Sequence, residues 1–109
     1  MIKVEVIREE EDIKQIKACG HSEYEEIGKD IVCSSVSTAF ILTINLLERL
    51  NIDCSYESNE AIPLISLTIN RYSCSEHKLV QAILENLVLS LENVSKQYKK
   101  NLKINKIRR

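Results

Sequence analysis

The sequence predicts a two-layer α/β domain of the α+β type, in which two long helices cover one face of a mixed sheet. Three observations predict it. The first residues alternate apolar and charged, and two later segments, after Asp30 and after Ser73, repeat apolar residues every three to four positions. The predicted order is β-β-α-β-β-α-β. With 109 residues, the chain is near the commonest domain size, so residues 1–109 are predicted to form a single domain.

The strand predictions depend on alternation. "MIKVEVI" places Ile2, Val4 and Val6 on one face and charged residues on the other, which is typical of a half-buried strand. The remaining strands are predicted at "IKQIKAC" (13–19), "IDCSY" (52–56), "IPLISLTI" (62–69, with Pro63 near its start) and "LKINKI" (102–107).

Both helices are predicted from apolar stripes. The first begins at Asp30 and is expected to bury Val32, Val36, Ala39, Phe40, Thr43, Leu46, Leu47 and Leu50. The second follows a capping-box pattern, Ser73 with Glu76. It is expected to bury Val80, Ile83, Leu84, Leu87, Val88, Leu91 and Val94. Two helices cover only one face of the sheet, so the open face and the edge strands favour a homodimer.

Composition limits the possible partners. The net charge is −1, which lacks the basic character that nonspecific nucleic-acid binding needs, and the basic end "KKNLKINKIRR" is interpreted as a solvated run. No nucleic-acid partner is expected. The amino terminus turns charged within a few residues and no apolar run approaches a membrane-spanning length, so a cytoplasmic protein without a membrane partner is predicted. Four cysteines without a C-x-x-C pair predict reduced thiols and neither metal nor cofactor.

The segment "CGHSEYEEIGKDIVCSSVS" (19–37) contains both glycines of the chain and one of its two histidines. If Asp30 caps the first helix, Cys33 lies in its first turn, where free N–H groups favour a thiolate and can hold an oxyanion. His21, at the end of the second strand, is placed to act as base.

Two further features of this segment support a site. Ser37 lies one turn beyond Cys33 and is placed to donate a hydrogen bond. Gly20 and Gly28 bracket the intervening loop and are interpreted as hinges of a lid.

The second helix offers a competing pair, because Cys74 also lies at a helix start and His77 follows three residues later. Charge and helix dipole alone leave the two cysteines nearly equal. Cys74 lacks a glycine-hinged loop that would shape a cleft, and His77 lies in the same helix, poorly placed to face the sulfur across a substrate.

The stretch "GHSEYEEIGKDIVCSSVSTAFILTINLL" resembles the signature of the bacterial ribosomal-processing cysteine protease (Prp) family. Gly-His, a short loop, Gly-x-Asp-x-Val-Cys and Val-Ser are matched by Gly20, His21, Gly28, Asp30, Val32, Cys33, Val36 and Ser37. Serines at 34 and 35 and Ser22 depart from the alanines that are common in the family.

The resemblance implies a cysteine endopeptidase that removes the N-terminal extension of a large-subunit ribosomal protein, the L-twenty-seven type, after paired aromatic residues. It implies Cys33 as nucleophile, His21 as general base and acid, Asp30 and Ser37 in support, and a homodimer. Two alternatives stay open: a noncatalytic ribosome-associated binding protein, and a redox-sensing thiol protein.

Overall fold

The computed structural model describes residues 1–20, 27–59 and 64–109, with residues 27–30 described by their backbone only. The strands are β1 (Ile2–Glu9), β2 (Asp12–Cys19), β3 (Asp53–Asn59), β4 (Leu64–Arg71) and β5 (Leu102–Arg108), and the helices are α1 (Ile27–Arg49) and α2 (His77–Gln97). This is the predicted element order. The predicted position of Pro63 at a strand start falls outside the described residues.

The five strands form one mixed sheet in the order β3-β4-β2-β1-β5. All neighbours are antiparallel except β1 and β5, which are parallel. The chain passes through α2 on its way from β4 to the far edge of the sheet, and this crossover is what makes β5 parallel to β1. The edges are therefore β3 and β5.

The helices cover one face of the sheet. The register places Val4 opposite Ala18 and Ile16 opposite Leu67, and all four side chains are buried. Directly opposite residues share a face, so these rows form the sheet side of the core. Phe40 and Leu47 of α1 and Leu84, Leu87 and Leu91 of α2 complete the core from the helix side. The predicted two-layer fold is confirmed.

The buried stripe of α1 differs from the prediction near the end of the helix. Leu46 and Leu50 are exposed, whereas Ile44 is buried. Each residue turns about 100° around a helix, so Leu46 lies well off the stripe that contains Phe40 and Leu47. A simple count of threes and fours had placed both leucines on that stripe.

The first helix also begins earlier than predicted, at Ile27 instead of Asp30. Gly28 lowers helix propensity by about 1 kcal/mol relative to alanine but does not forbid a helix, and no proline interrupts residues 27–30. Asp30 is thus the fourth residue of α1 and not its N-cap. At the other end, Asn51 adopts a left-handed conformation (φ 58°), and the Ile52 N–H reaches the Leu47 carbonyl oxygen at 3.0 Å, which closes the helix.

The segment from Ile31 to Arg49 is long and apolar enough, by length and composition only, to cross a membrane. The expectation that no apolar run approaches this length was therefore wrong. Val32, Phe40 and Leu47 have no exposed side-chain surface, because α1 packs along the sheet. Burial of one face in this way is typical of a core helix.

Candidate active site

A cleft of about 500 Å³ lies between α1 and the sheet. Its walls come from α1, from the ends of β2 and β3, from the start of β4 and from Ile2. Most of the lining is apolar, including Ile41, Ile44, Leu64 and Ile65. A cleft of this size and character accommodates apolar or aromatic side chains of a ligand.

Cys33 lines this cleft and is half-buried, with part of its side chain packed against the core. Ser37, one turn further along α1, lines the same cleft and is exposed. The structure therefore brings together two of the predicted site residues on one helix face. A thiol and a hydroxyl group at this spacing can contact the same bound group.

Gly20 lines the cleft at the end of β2, immediately before His21. Its φ is +149°, a conformation that side chains disfavour. A Cβ atom at this position would lie 2.8 Å from the Cα atom of Ile2 and would overlap the Met1 carbonyl oxygen. Glycine is thus required here by close backbone approach as well as by φ.

The other predicted site residues are only partly described. Gly28 has helical backbone within α1, so at this end the predicted hinge is the first turn of a helix. Asp30 also lies in α1, and its side chain is outside the described residues, as is the whole of His21. The roles predicted for His21 and Asp30 stay predictions.

The early start of α1 changes one part of the chemistry expected of Cys33. Only the first four N–H groups of a helix lack an intrahelical partner, and Cys33 is the seventh residue of α1. Its own N–H is therefore expected to bond within the helix, and the prediction that it lies in the first turn, with a free N–H for an oxyanion, is wrong. The Ser37 hydroxyl, one turn away, lines the same cleft and can donate a hydrogen bond there.

Sequence reasoning missed the far wall of the cleft. Tyr56 of β3 lines it and is 56% exposed. The negative charge of Glu48, together with a hydrogen bond between the two side chains, raises the pKa of Tyr56. The pair connects α1 to the edge strand. An aromatic residue among polar neighbours on a strand was the available signal, but Tyr56 had been predicted only as part of the strand at 52–56.

Cys19 also lines the cleft and is exposed. Cys54 packs against the core, and burial, with a smaller effect from Glu48, raises the pKa of its thiol. All four cysteines are free. Within the part of the chain that the structure describes, no group of three or more His, Cys, Asp or Glu side chains is placed to hold a metal ion.

The competing pair at α2 is arranged differently. Cys74 is exposed in a 3₁₀ turn, Cys74–Glu76, that precedes α2. His77 lies 2.8 Å from the Asp12 carboxylate, and its ring contacts Tyr72 at a centroid separation of 5.9 Å. The predicted capping box is confirmed, since the Ser73 N–H donates to Glu76 Oε1 at 3.1 Å. This region is a helix start held by local bonds, and Cys74 does not line the cleft that contains Cys33.

Three comparisons bear on this site. The model of the family described as "Cysteine protease Prp" matches residues 1–103. A ribosomal processing cysteine protease Prp from Staphylococcus aureus is 26% identical over 110 residues, covering 96% of this chain and 98% of its own length. Its counterpart from a second Staphylococcus aureus strain gives the same values.

Solved structures share the fold. A Streptococcus mutans protein superposes with a TM-score of 0.87 at 23% identity, covering all of this chain and 96% of its own. The Staphylococcus aureus Prp in complex with a substrate peptide gives 0.84 at 20% identity, with 97% of this chain and 99% of that chain covered. The same protein with a covalently linked product peptide gives 0.81 at 21% identity, with the same coverage.

Proposed function

Because this chain belongs to the cysteine protease Prp family, we propose that it is a cytoplasmic endopeptidase that removes the N-terminal extension of a large-subunit ribosomal protein of the L-twenty-seven type. The observation that carries the proposal is the half-buried Cys33 thiol in the wall of a largely apolar cleft. The relative whose structure holds a covalently linked product peptide supports covalent catalysis in such a fold.

The proposed reaction begins when His21 takes the proton of the Cys33 thiol. The thiolate attacks the scissile carbonyl carbon, and the carbonyl oxygen becomes an oxyanion. The Ser37 hydroxyl donates a hydrogen bond to this oxyanion, because it lies one helical turn from Cys33 along the same cleft. Collapse of the intermediate breaks the C–N bond, and His21 gives its proton to the leaving amine.

The second half of the reaction releases the acyl group. His21 takes a proton from water, the hydroxide attacks the thioester carbonyl, and the Cys33 thiolate leaves. Asp30 is proposed to support the site from the first turn of α1. The loop between Gly20 and Gly28 is proposed to admit the peptide.

The lining of the cleft supports a preference for aromatic side chains before the scissile bond. Ile41 and Ile44 of α1, Leu64 and Ile65 of β4 and Tyr56 of β3 all line it. Burying an aromatic side chain in such surroundings contributes roughly 2–3 kcal/mol. Polar groups at the rim, such as Ser58, are available for the peptide backbone.

A homodimer is proposed from the outer face of the helix layer. Ile31, Leu42 and Leu46 of α1 and Leu89 of α2 are between 44% and 64% exposed. Four large apolar side chains on one layer are costly in water, and a second copy of the chain would cover them. Sedimentation velocity tests this: Leu42→Glu should shift a dimer to monomer, whereas a monomeric parent chain would contradict the proposal.

The proposed activity is tested with a synthetic peptide that carries the N-terminal extension and its paired aromatic residues. The parent chain and the Cys74→Ala variant should cleave it at similar rates, and Cys33→Ala should lower kcat/KM by more than about a thousandfold. Mass spectrometry of the products locates the cut. Full cleavage by Cys33→Ala would overturn the assignment of the nucleophile, and an uncut peptide with the parent chain would overturn the proposed function.

A further inference from the structure

Basic residues are concentrated at the end of the sequence. Seven of the fifteen lysines and arginines, and none of the sixteen acidic residues, lie after Asn93. The first 93 residues therefore carry the whole negative excess of the chain. A net charge of −1 conceals this separation, which is why composition alone indicated no polyanion partner.

Folding gathers part of this charge around a groove of about 460 Å³ between the end of α2 and the edge strand β5. Lys96, Lys99, Lys103 and Lys106 line it, together with one acidic residue, Glu92, and the apolar side chains of Leu102 and Ile104. All four lysines are exposed. We define these four residues as the lysine groove.

Most of this charge is not neutralised within the chain. Lys106 lies 3.4 Å from Glu92, but Lys96, Lys99 and Lys103 form no ion pair with the residues that the structure describes. The mutual repulsion of three unpaired ammonium groups around one groove is unfavourable for folding. A bound polyanion would relieve it.

Two structural roles account for only part of the lysine groove. Lysine on an edge strand discourages pairing with another chain, which explains Lys103 and Lys106 of β5. A cation in the last turn of a helix interacts favourably with the macrodipole, which explains Lys96. Lys99 lies in the turn beyond α2 and serves neither role, and neither role requires the four to surround one groove.

The lysine groove adjoins the candidate active site. Met1 lines the groove, and its carbonyl oxygen lies against Gly20 at the cleft. Ile2, the next residue, lines the cleft itself. A ligand held in the groove would therefore lie on the Met1 side of the candidate active-site cleft.

We propose that the lysine groove binds the phosphate backbone of single-stranded RNA, and that this contact places the enzyme beside substrates that are assembling with RNA. The proposal rests on the proposed function for the source of the RNA. Proteins that bind RNA are themselves basic, so a lysine-lined groove repels the substrate protein and attracts its RNA. Lysine ammonium groups are flexible point charges, which suits contact with phosphates without reading of sequence.

The dependence of RNA affinity on salt concentration follows from the release of counterions from the phosphates. For single strands, log K falls with log salt with a slope of about −0.7 for each phosphate neutralised. Four lysines predict a slope of roughly −3. Affinity should be weak at physiological salt and independent of base sequence.

The test is fluorescence anisotropy with a labelled 20-nucleotide oligouridylate, titrated with the full chain at several salt concentrations. The groove variant combines Lys96→Gln, Lys99→Gln and Lys103→Gln. The control variant, with the same net charge, combines Lys14→Gln, Lys17→Gln and Lys78→Gln. The groove variant should bind the RNA at least about tenfold more weakly at low salt, and its slope of log K against log salt should be shallower by about 2. The affinity of the control variant should change by less than about threefold.

Three results would overturn the proposal: no salt-dependent binding by the parent chain, equal weakening in both variants, or displacement of the RNA by polyglutamate at equal charge concentration, which would indicate an acidic protein partner. Cleavage of the free peptide should be the same in the groove variant as in the parent chain. Failure of RNA binding with normal cleavage would overturn only this inference, and RNA binding without any cleavage would overturn only the proposed function.

Discussion

The chain contains two cysteines near helix starts, Cys33 and Cys74, each with a histidine nearby in the sequence. The fold places them in different surroundings. Cys33 lies in the second turn of α1, half-buried, in the wall of a cleft of about 500 Å³. Cys74 lies in an exposed 3₁₀ turn, and His77 is bonded to Asp12. The difference shows that a position near a helix start does not by itself place a thiol in a cleft.

What separates the two regions is the backbone around them. At α2, Ser73 and Glu76 bond to each other and complete the helix start, and the pocket beside it, lined by Asp12 and Tyr72, does not include Cys74. At α1, Gly20 lets β2 pass against Met1 and Ile2, and a cleft opens between the helix and the sheet. At α1, a ligand can therefore reach the Cys33 thiol and be held in the cleft.

The sharpest contrast should come from the two histidines. His21→Ala should lower kcat/KM for the extension peptide by about 10²- to 10⁴-fold, because general acid–base catalysis contributes that much. His77→Ala should change kcat/KM by less than about twofold, and the free energy of unfolding by no more than about 1 kcal/mol, since its exposed bond to Asp12 is worth little. Steady-state kinetics and urea unfolding measure both. Equal losses of activity in the two variants would break the comparison.

The two glycines should differ next. Gly20→Ala should lower the free energy of unfolding by about 1–3 kcal/mol through backbone strain, with a further loss from overlap with the Met1 carbonyl oxygen. Gly28→Ala should raise the free energy of unfolding by up to about 1 kcal/mol, because alanine favours the helical backbone observed there. Urea titrations of both variants test this.

Activity of the Gly28→Ala variant tests the hinge separately. A stabilised variant with reduced kcat would support a first turn of α1 that must open for the substrate. A variant destabilised by the alanine would contradict the helical assignment of residue 28.

The smallest effect is expected at the capping box of α2. Glu76→Ala removes the acceptor for the Ser73 N–H and should lower the free energy of unfolding by about 1 kcal/mol. Cleavage of the peptide should stay within about twofold of the parent rate. A large loss of cleavage without loss of stability would mean that the α2 region takes part in the chemistry.

Much of the fold was predictable because strands and helices are largely determined by residues close to each other in the sequence. Alternation at Ile2, Val4 and Val6, the stripe of α2 and the Ser73–Glu76 box all depend on neighbours in sequence, and the structure confirms each. The start of α1 was not predictable in this way. Residues 27–30 contain no residue that clearly marks where a helix begins, so Asp30, which is a common N-cap residue type, was predicted as the start of α1.

The candidate site was predictable in its sequence-adjacent part only. Cys33, Ser37 and Gly20, all from residues 19–37, line one cleft, and the roles predicted for them stay predictions. Tyr56 and Leu64 reach the cleft through the pairing of β3 with β4 and of β4 with β2, which no short-range pattern encodes. The lysine groove was also missed, because the net charge is a sum over the whole chain. It does not show that folding gathers several lysines around one groove.

The central claim is that Cys33, and not Cys74, is the nucleophile of a peptidase, and covalent labelling tests it most directly. The parent chain is incubated at neutral pH with a chloromethyl ketone that carries the residues preceding the proposed cut, then digested and mapped by mass spectrometry. We predict modification of Cys33 at one equivalent, blocked by excess extension peptide, with Cys19, Cys54 and Cys74 unmodified. Modification spread over the exposed Cys19 and Cys74, or unaffected by the peptide, would contradict the account.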